Sequence, residues 1–141
     1  MRTFEMDRYH MGRLRPGEDL LEGIESLLSE KGIRAGYLWV LGAVRTGAIG
    51  FFDQEEQVYR TIEFDEPMEI LTCQGNVSMK EGRPFPHAHI TFGDSRGRAV
   101  GGHLVAGNEV FVAEVCIAEF SGHPLERVDI PELGLQLWRT E

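Results

Sequence analysis

Pro86-His87-Ala88-His89-Ile90-Thr91-Phe92-Gly93-Asp94-Ser95-Arg96-Gly97-Arg98-Ala99-Val100-Gly101-Gly102-His103-Leu104 reads as two strands joined by a tight turn. Side chains two apart on a strand share a face, so His87, His89 and Thr91 point one way while Ala88, Ile90 and Phe92 point into a core. Ser95-Arg96-Gly97 suits a three-residue hairpin loop with Gly97 in the left-handed conformation, which pairs Asp94 with Arg98. Continuing that register sets His89 opposite His103, and three imidazoles then meet on one face. A bulge at Gly101-Gly102 would instead turn His103 to the other face.

The same alternation of short apolar runs and turn residues extends along the chain. Tyr9 to Leu14 reads as a strand stopped by Pro16-Gly17. Leu20, Leu21, Ile24, Leu27 and Leu28 then recur at helical spacing; Asp19 and Glu22 match a capping box before them, and Gly32 supplies the stop. Tyr37 to Val44 and Ala48 to Phe52 read as a hairpin around Arg45-Thr46-Gly47, with an acidic turn at Asp53-Gln54-Glu55-Glu56 after it. Val58 to Phe64 and Met68 to Cys73 alternate as strands, as do His87 to Gly93 and Ala99 to Leu104. Glu109 to Phe120 and Leu133 to Arg139 are long or apolar enough to be central. The expectation is an α+β fold, a mostly antiparallel sheet of about seven strands with one main covering helix.

With 141 residues, no internal repeat and no linker-like composition shift, one domain over 1–141 is the natural expectation. Mean hydropathy of -0.22 suits a globular chain, and no run approaches the roughly 20 apolar residues of a membrane span. The start of the chain lacks the apolar stretch of a signal peptide, so a cytoplasmic location is expected. Cys73 and Cys116 sit in separate apolar runs outside any CxxC pair and read as buried thiols. The formal net charge of -9 argues against direct contact with a polyanion, because the basic clusters Arg13 with Arg15 and Arg96 with Arg98 read as solvated turn residues.

Three of the five histidines fall within the stretch quoted first. Neutral imidazole suits zinc and other divalent first-row metals, and three protein nitrogens leave one coordination position for water or a substrate atom. His87, His89 and His103 are therefore the candidate metal ligands. The competing reading makes them polar-face histidines bonded to water or carboxylates. Glu114, alone in Val110-Phe111-Val112-Ala113-Glu114-Val115-Cys116-Ile117, is the candidate for a supporting partner or general base, since a lone carboxylate in an apolar strand is expensive. Glu69 in Pro67-Met68-Glu69-Ile70-Leu71 raises the same possibility, set against an exposed place on a one-sided strand. Gly101 and Gly102 read as a floor for a ligand, or as a tight packing point. His10 and His123 lie among polar, turn-like residues and read as surface groups.

Gly82-Arg83-Pro84-Phe85-Pro86-His87-Ala88-His89, Asp94 to Arg98, Gly101-Gly102-His103-Leu104 and Ala113-Glu114-Val115 together resemble the stand-alone prokaryotic form of the PPC domain, the plants-and-prokaryotes conserved domain. Arg15-Pro16-Gly17-Glu18-Asp19-Leu20 and Gly42-Ala43-Val44 extend the resemblance to the front of the chain. It implies a compact α+β domain with an antiparallel sheet, assembly as a homotrimer, and histidines that form a metal-binding set. Plant members carry AT-hooks and bind the minor groove of A·T-rich DNA. This chain departs from them: Arg96-Gly97-Arg98 is not followed by proline, Glu81 precedes Gly82-Arg83-Pro84, and no basic arm is evident.

Two functions follow. One is a homotrimeric metal protein, zinc first, that acts on or senses a small molecule. The other is a DNA-associated interaction module with structural histidines, reaching DNA through a partner. Three ligands do not name a reaction, so catalysis stays open.

Overall fold

Asp19 begins the one helix found among the described residues. Its carboxylate accepts the backbone N–H groups of Leu21 and Glu22 at 3.0 and 3.2 Å, the bonding of an N-cap. Gly32, at φ +69°, closes the other end in the left-handed conformation. Between them α1 (Leu20–Lys31) turns Leu20, Ile24 and Leu28 fully into the core.

The computed structural model describes residues 1–139, and the last two residues of the expected 1–141 domain lie outside them. The strands are β1 (Glu5–Arg13), β2 (Gly36–Val44), β3 (Gly47–Asp53), β4 (Val58–Phe64), β5 (Met68–Lys80), β6 (Arg83–Gly93), β7 (Ala99–Leu104), β8 (Val110–Ser121), β9 (Arg127–Ile130) and β10 (Leu135–Trp138). Eight form one antiparallel sheet in the order β1-β8-β2-β5-β6-β7-β3-β4, and β9 and β10 make a separate ribbon. The mostly antiparallel α+β class with one helix is thus the observed one, with eight strands in the main sheet against the expected seven or so, and two more in the ribbon among the described residues. The expected central strand at Leu133 to Arg139 shrinks to β10 in the ribbon, and its partner β9 is too short to show a sequence period.

A second expectation is corrected by the strand order. β2 and β3 are not a hairpin: β2 lies between β8 and β5, and β3 between β7 and β4. Val44 to Gly47 can span at most about 11 Å. In a flat sheet four strand spacings, about 19 Å, would separate β2 from β3. The sheet therefore curls upon itself, as strand twist allows, and encloses a core that includes Leu38, Val40, Val44, Ile90, Phe92 and Val110. Arg45 helps to turn the chain, its N–H donating to the Glu109 carbonyl at 2.8 Å.

One buried polar residue fastens the far side. The Asn108 amide donates to the Ala48 and Val105 carbonyls at 3.1 and 2.6 Å and accepts the Ala48 N–H at 2.8 Å. Asp19 holds the same loop, its second oxygen accepting from Gly107 and Asn108 N–H at 2.7 and 2.9 Å. Helix start, β3 and the β7–β8 loop are thereby tied together. No helix among the described residues is long and apolar enough to cross a membrane.

Candidate metal centre

The turn that sets the histidine register forms as the glycine requires. Gly97 adopts φ +75° and its N–H donates to the Asp94 carbonyl at 2.9 Å, while Asp94 N–H donates to Arg98 carbonyl at 3.0 Å. The Asp94 carboxylate accepts from Arg96 and Arg98 backbone N–H and from Arg98 Nε, and these bonds, led by that of the Arg98 backbone, hold its pKa below the usual range. From there β6 and β7 pair without a shift, from Gly93 with Ala99 through His89 with His103. No bulge interrupts Gly101-Gly102.

His87 and His89 stand on the face opposite buried Ala88, Ile90 and Phe92, as strand alternation dictates. His87 Nε2 lies 3.1 Å from His103 Nε2, and the ring centres of His89 and His103 are 4.3 Å apart. One ring nitrogen from each of the three falls within 4.8 Å of the others. Nitrogens bound to a tetrahedral zinc at about 2.0–2.1 Å stand roughly 3.3 Å apart, so the cluster is already close to a ligand set. Its electrostatics agree. Burial, then Arg127, then the other two histidines push His87 down to about 4, and burial with His89 and Arg127 lowers His103. Both groups favour neutral imidazole, the form that ligates a metal.

The histidines line an open cleft of about 880 Å³ whose walls include Tyr59, Phe85, Arg127 and Leu135. Tyr59 and Arg127 escaped the sequence reading. Tyr59, on β4, hydrogen-bonds His103 Nε2 at 3.2 Å and packs edge-on to its ring at 5.2 Å. Arg127 opens β9, and the ribbon carries it over the outer face of β5 and β6. Neither contact is local in sequence; only the pairing of β3 between β7 and β4 would reveal the first.

Other candidates go elsewhere. Glu114 pairs with Arg13 of β1 and Leu41 of β2, three strands from β6, and is exposed. The outer face of β8 is uncovered, so its carboxylate is solvated and incurs no burial cost. Glu69 is also exposed, opposite Gly93, five residues along β5 from the Gln74 that pairs with His89, or about 17 Å. Neither carboxylate joins the cluster. Gly101 and Gly102 do not line the cleft. A Cβ on Gly102 would stand 2.6 Å from the Gly50 carbonyl oxygen and one on Gly101 2.9 Å from that of Ile90, so these glycines let β3, β6 and β7 approach closely. His10 lies within β1, not a turn, 2.8 Å from Glu119. Cys73 is buried, as expected, and Cys116 only partly so.

Comparison with known proteins places this geometry in context. The family model of the Plants and Prokaryotes Conserved (PCC) domain matches residues 1–121. The crystal structure of a metal-containing protein from Archaeoglobus fulgidus is 43% identical, with a TM-score of 0.90 over 99% of this chain and 100% of that one. A plant- and prokaryote-conserved (PPC) protein from Pyrococcus horikoshii is 35% identical, TM-score 0.94, over 100% and 97%. A candidate DNA-binding protein from Bacteroides thetaiotaomicron is 25% identical, TM-score 0.87, over 98% of both chains. The chain also matches a bifunctional GlmU protein from a Synechococcus strain, 29% identical over 86% of this chain, but spans only 19% of that protein's length.

Proposed function

The chain belongs to the Plants and Prokaryotes Conserved (PCC) domain family, and from that premise we propose that it is a metal protein that binds zinc through His87, His89 and His103 and takes up a small molecule beside the ion. The observation that carries this reading is the convergence of three imidazole nitrogens within 4.8 Å. The donor set fits: all three are neutral-favouring or exposed imidazoles on rigid, paired strands, and three nitrogens suit zinc or a first-row neighbour with one position left over. The metal-containing relative from Archaeoglobus fulgidus supports it. When bound, such an ion would polarise a ligand oxygen or lower the pKa of water.

The chain's own residues do the rest. Pairing of β5, β6 and β7 fixes the imidazoles before a metal arrives. The Tyr59 hydroxyl, 3.2 Å from His103 Nε2, is placed to hold the ring or an incoming oxygen. No carboxylate joins the cluster among the described residues, and Glu25 and Asp129 line the cleft beside it.

The functional unit is a homotrimer in this reading. Tyr9, Met11, Trp39, Leu41, Leu71 and Phe111 are all exposed large apolar residues on the strands of one sheet, from 39% at Trp39 to 76% at Met11. A face of that kind calls for a covering partner, and the family resemblance supplies the number of copies. Trp39 pairs with Gln74, and Gln74 with His89, so the apolar face runs to the edge of the histidine site.

The DNA-associated alternative has less to support it. The net charge is -9, and in each basic cluster an arginine is already turned to a carboxylate, Arg98 to Asp94 at 2.6 Å and Arg15 to Glu18 at 3.9 Å. Elemental analysis of the protein purified without added metal tests the proposal. About one zinc per chain, lost in His89→Ala with the fold retained, is expected, and metal-free wild type overturns it.

A further inference from the structure

The fold of the ribbon sets the Arg127 guanidinium against the histidine cluster, where its charge bears on His87 and His103. Its Nε donates to Ser78 Oγ at 3.1 Å, one terminal nitrogen to the Gln136 carbonyl at 2.9 Å and the other to Asn76 Oδ1 at 3.2 Å. Asn76 pairs directly with His87, and Ser78 with Phe85. The guanidinium therefore lies over one step of the β5–β6 ladder, a two-residue advance of about 7 Å along β6 from His87. Phe85 and Trp138 flank it with ring centres 5.2 and 5.7 Å from its central carbon.

Three bonds occupy three of the five N–H donors of a guanidinium, leaving one on each terminal nitrogen. All three acceptors are neutral, and no carboxylate among the described residues pairs with Arg127. A half-buried cation with neutral partners is costly to hold in place, yet it is braced on two sides by rings and fixed by side chains of β5. Both His87 and Arg127 line the same cleft, whose remaining walls are largely apolar, with Phe52, Ile130, Leu135 and Leu137 among them.

We propose that Arg127 reads a carboxylate: the ligand is a small organic acid with one oxygen-bearing group at the metal's open position, a carboxylate on the Arg127 fork and an aliphatic body between the cleft walls. This rests on the metal reading above. A planar carboxylate matches the two free N–H groups of a fixed fork, whereas a phosphate of higher charge would be repelled more strongly by Glu25 and Asp129, which line the cleft together with Lys80 and Arg127.

The test uses zinc-loaded full chain, titrated calorimetrically with succinate and with its half-amide succinamate, which has the same shape and keeps one carboxylate for the metal but offers the fork an uncharged amide. Succinate should bind wild type about tenfold or more tighter than succinamate, the order of discrimination a charge-assisted pair gives. In Arg127→Gln that preference should vanish while one zinc per chain remains, and Arg127→Lys, which keeps the charge without the fork, should recover only part of it. Equal binding of the two compounds by zinc-loaded wild type, or unchanged succinate affinity in folded Arg127→Gln, overturns the inference and leaves the metal site standing. If Arg127→Gln fails to fold, the wild-type comparison decides alone. Wild type that takes up no zinc defeats the metal reading, and this inference with it.

Discussion

Acidifying the metal-free protein from pH 6.5 toward 4 should weaken it, and His87 should carry much of the effect. Burial, Arg127 and the two neighbouring histidines set its folded pKa at about 4 against 6.5 for the free side chain. The unfolded chain therefore binds a proton that the folded chain resists. The stability this represents is fully present above the unfolded value near 6.5 and is lost as pH falls toward 4. A difference of 2.5 units at about 1.36 kcal/mol each caps the loss near 3.4 kcal/mol. His87 is only half-buried, and solvent screening brings the expectation to about 1–2 kcal/mol. His103, also lowered, acts in the same direction. The lowered carboxylates Asp53 and Asp94 lose their contribution beneath this window. Urea unfolding in EDTA, at one protein concentration and several pH values between about 7.5 and 4.5, gives the slope. His87→Gln should flatten it by that amount. A wild-type stability constant across the window, or an unchanged slope in His87→Gln, would refute the account of how the cluster is kept neutral.

Asn108→Ala should cost about 3–5 kcal/mol in denaturant unfolding, because Ala48 N–H, Ala48 carbonyl and Val105 carbonyl lose partners inside the protein. Gly75→Ala would set a Cβ 2.1 Å from the His87 carbonyl oxygen and 2.5 Å from Ala88 Cα, forcing β5 from β6. A loss of about 3 kcal/mol or more and a zinc affinity weakened about tenfold are expected, whereas Gly12→Ala, with nothing within 4 Å, should stay within about 0.5 kcal/mol. Leu41→Asp, at a position 58% exposed, should leave the protomer folded and shift light-scattering mass from trimer toward monomer; an unchanged mass would remove that face from the assembly.

The parts of the fold that were legible in the sequence are those written in local periods. Asp19, the helical spacing of Leu20, Ile24 and Leu28, and Gly32 mark the helix because caps and amphipathic faces are local. The His-x-His alternation and the Gly97 turn likewise carry the register across one hairpin. Long-range pairing was not legible. Arg45-Thr46-Gly47 has the look of a hairpin tip, yet it joins strands four places apart, because sheet curling is decided by the whole set of strands. The same limit bears on Glu114. Glu114 was weighed as a buried carboxylate from its apolar neighbours, but those neighbours alternate between a core and an uncovered face. Tyr59 and Arg127 reach the histidines only through the β3–β7 pairing and the ribbon, neither of which leaves a mark in the residues themselves.

The central claim is that His87, His89 and His103 hold one metal ion. Metal content per chain after purification without added ions, measured on wild type and on His89→Ala of equal far-ultraviolet circular dichroism, tests it most directly. About one equivalent of zinc or a first-row neighbour in wild type and almost none in the variant is the predicted result. Equal metal content in both proteins would contradict it.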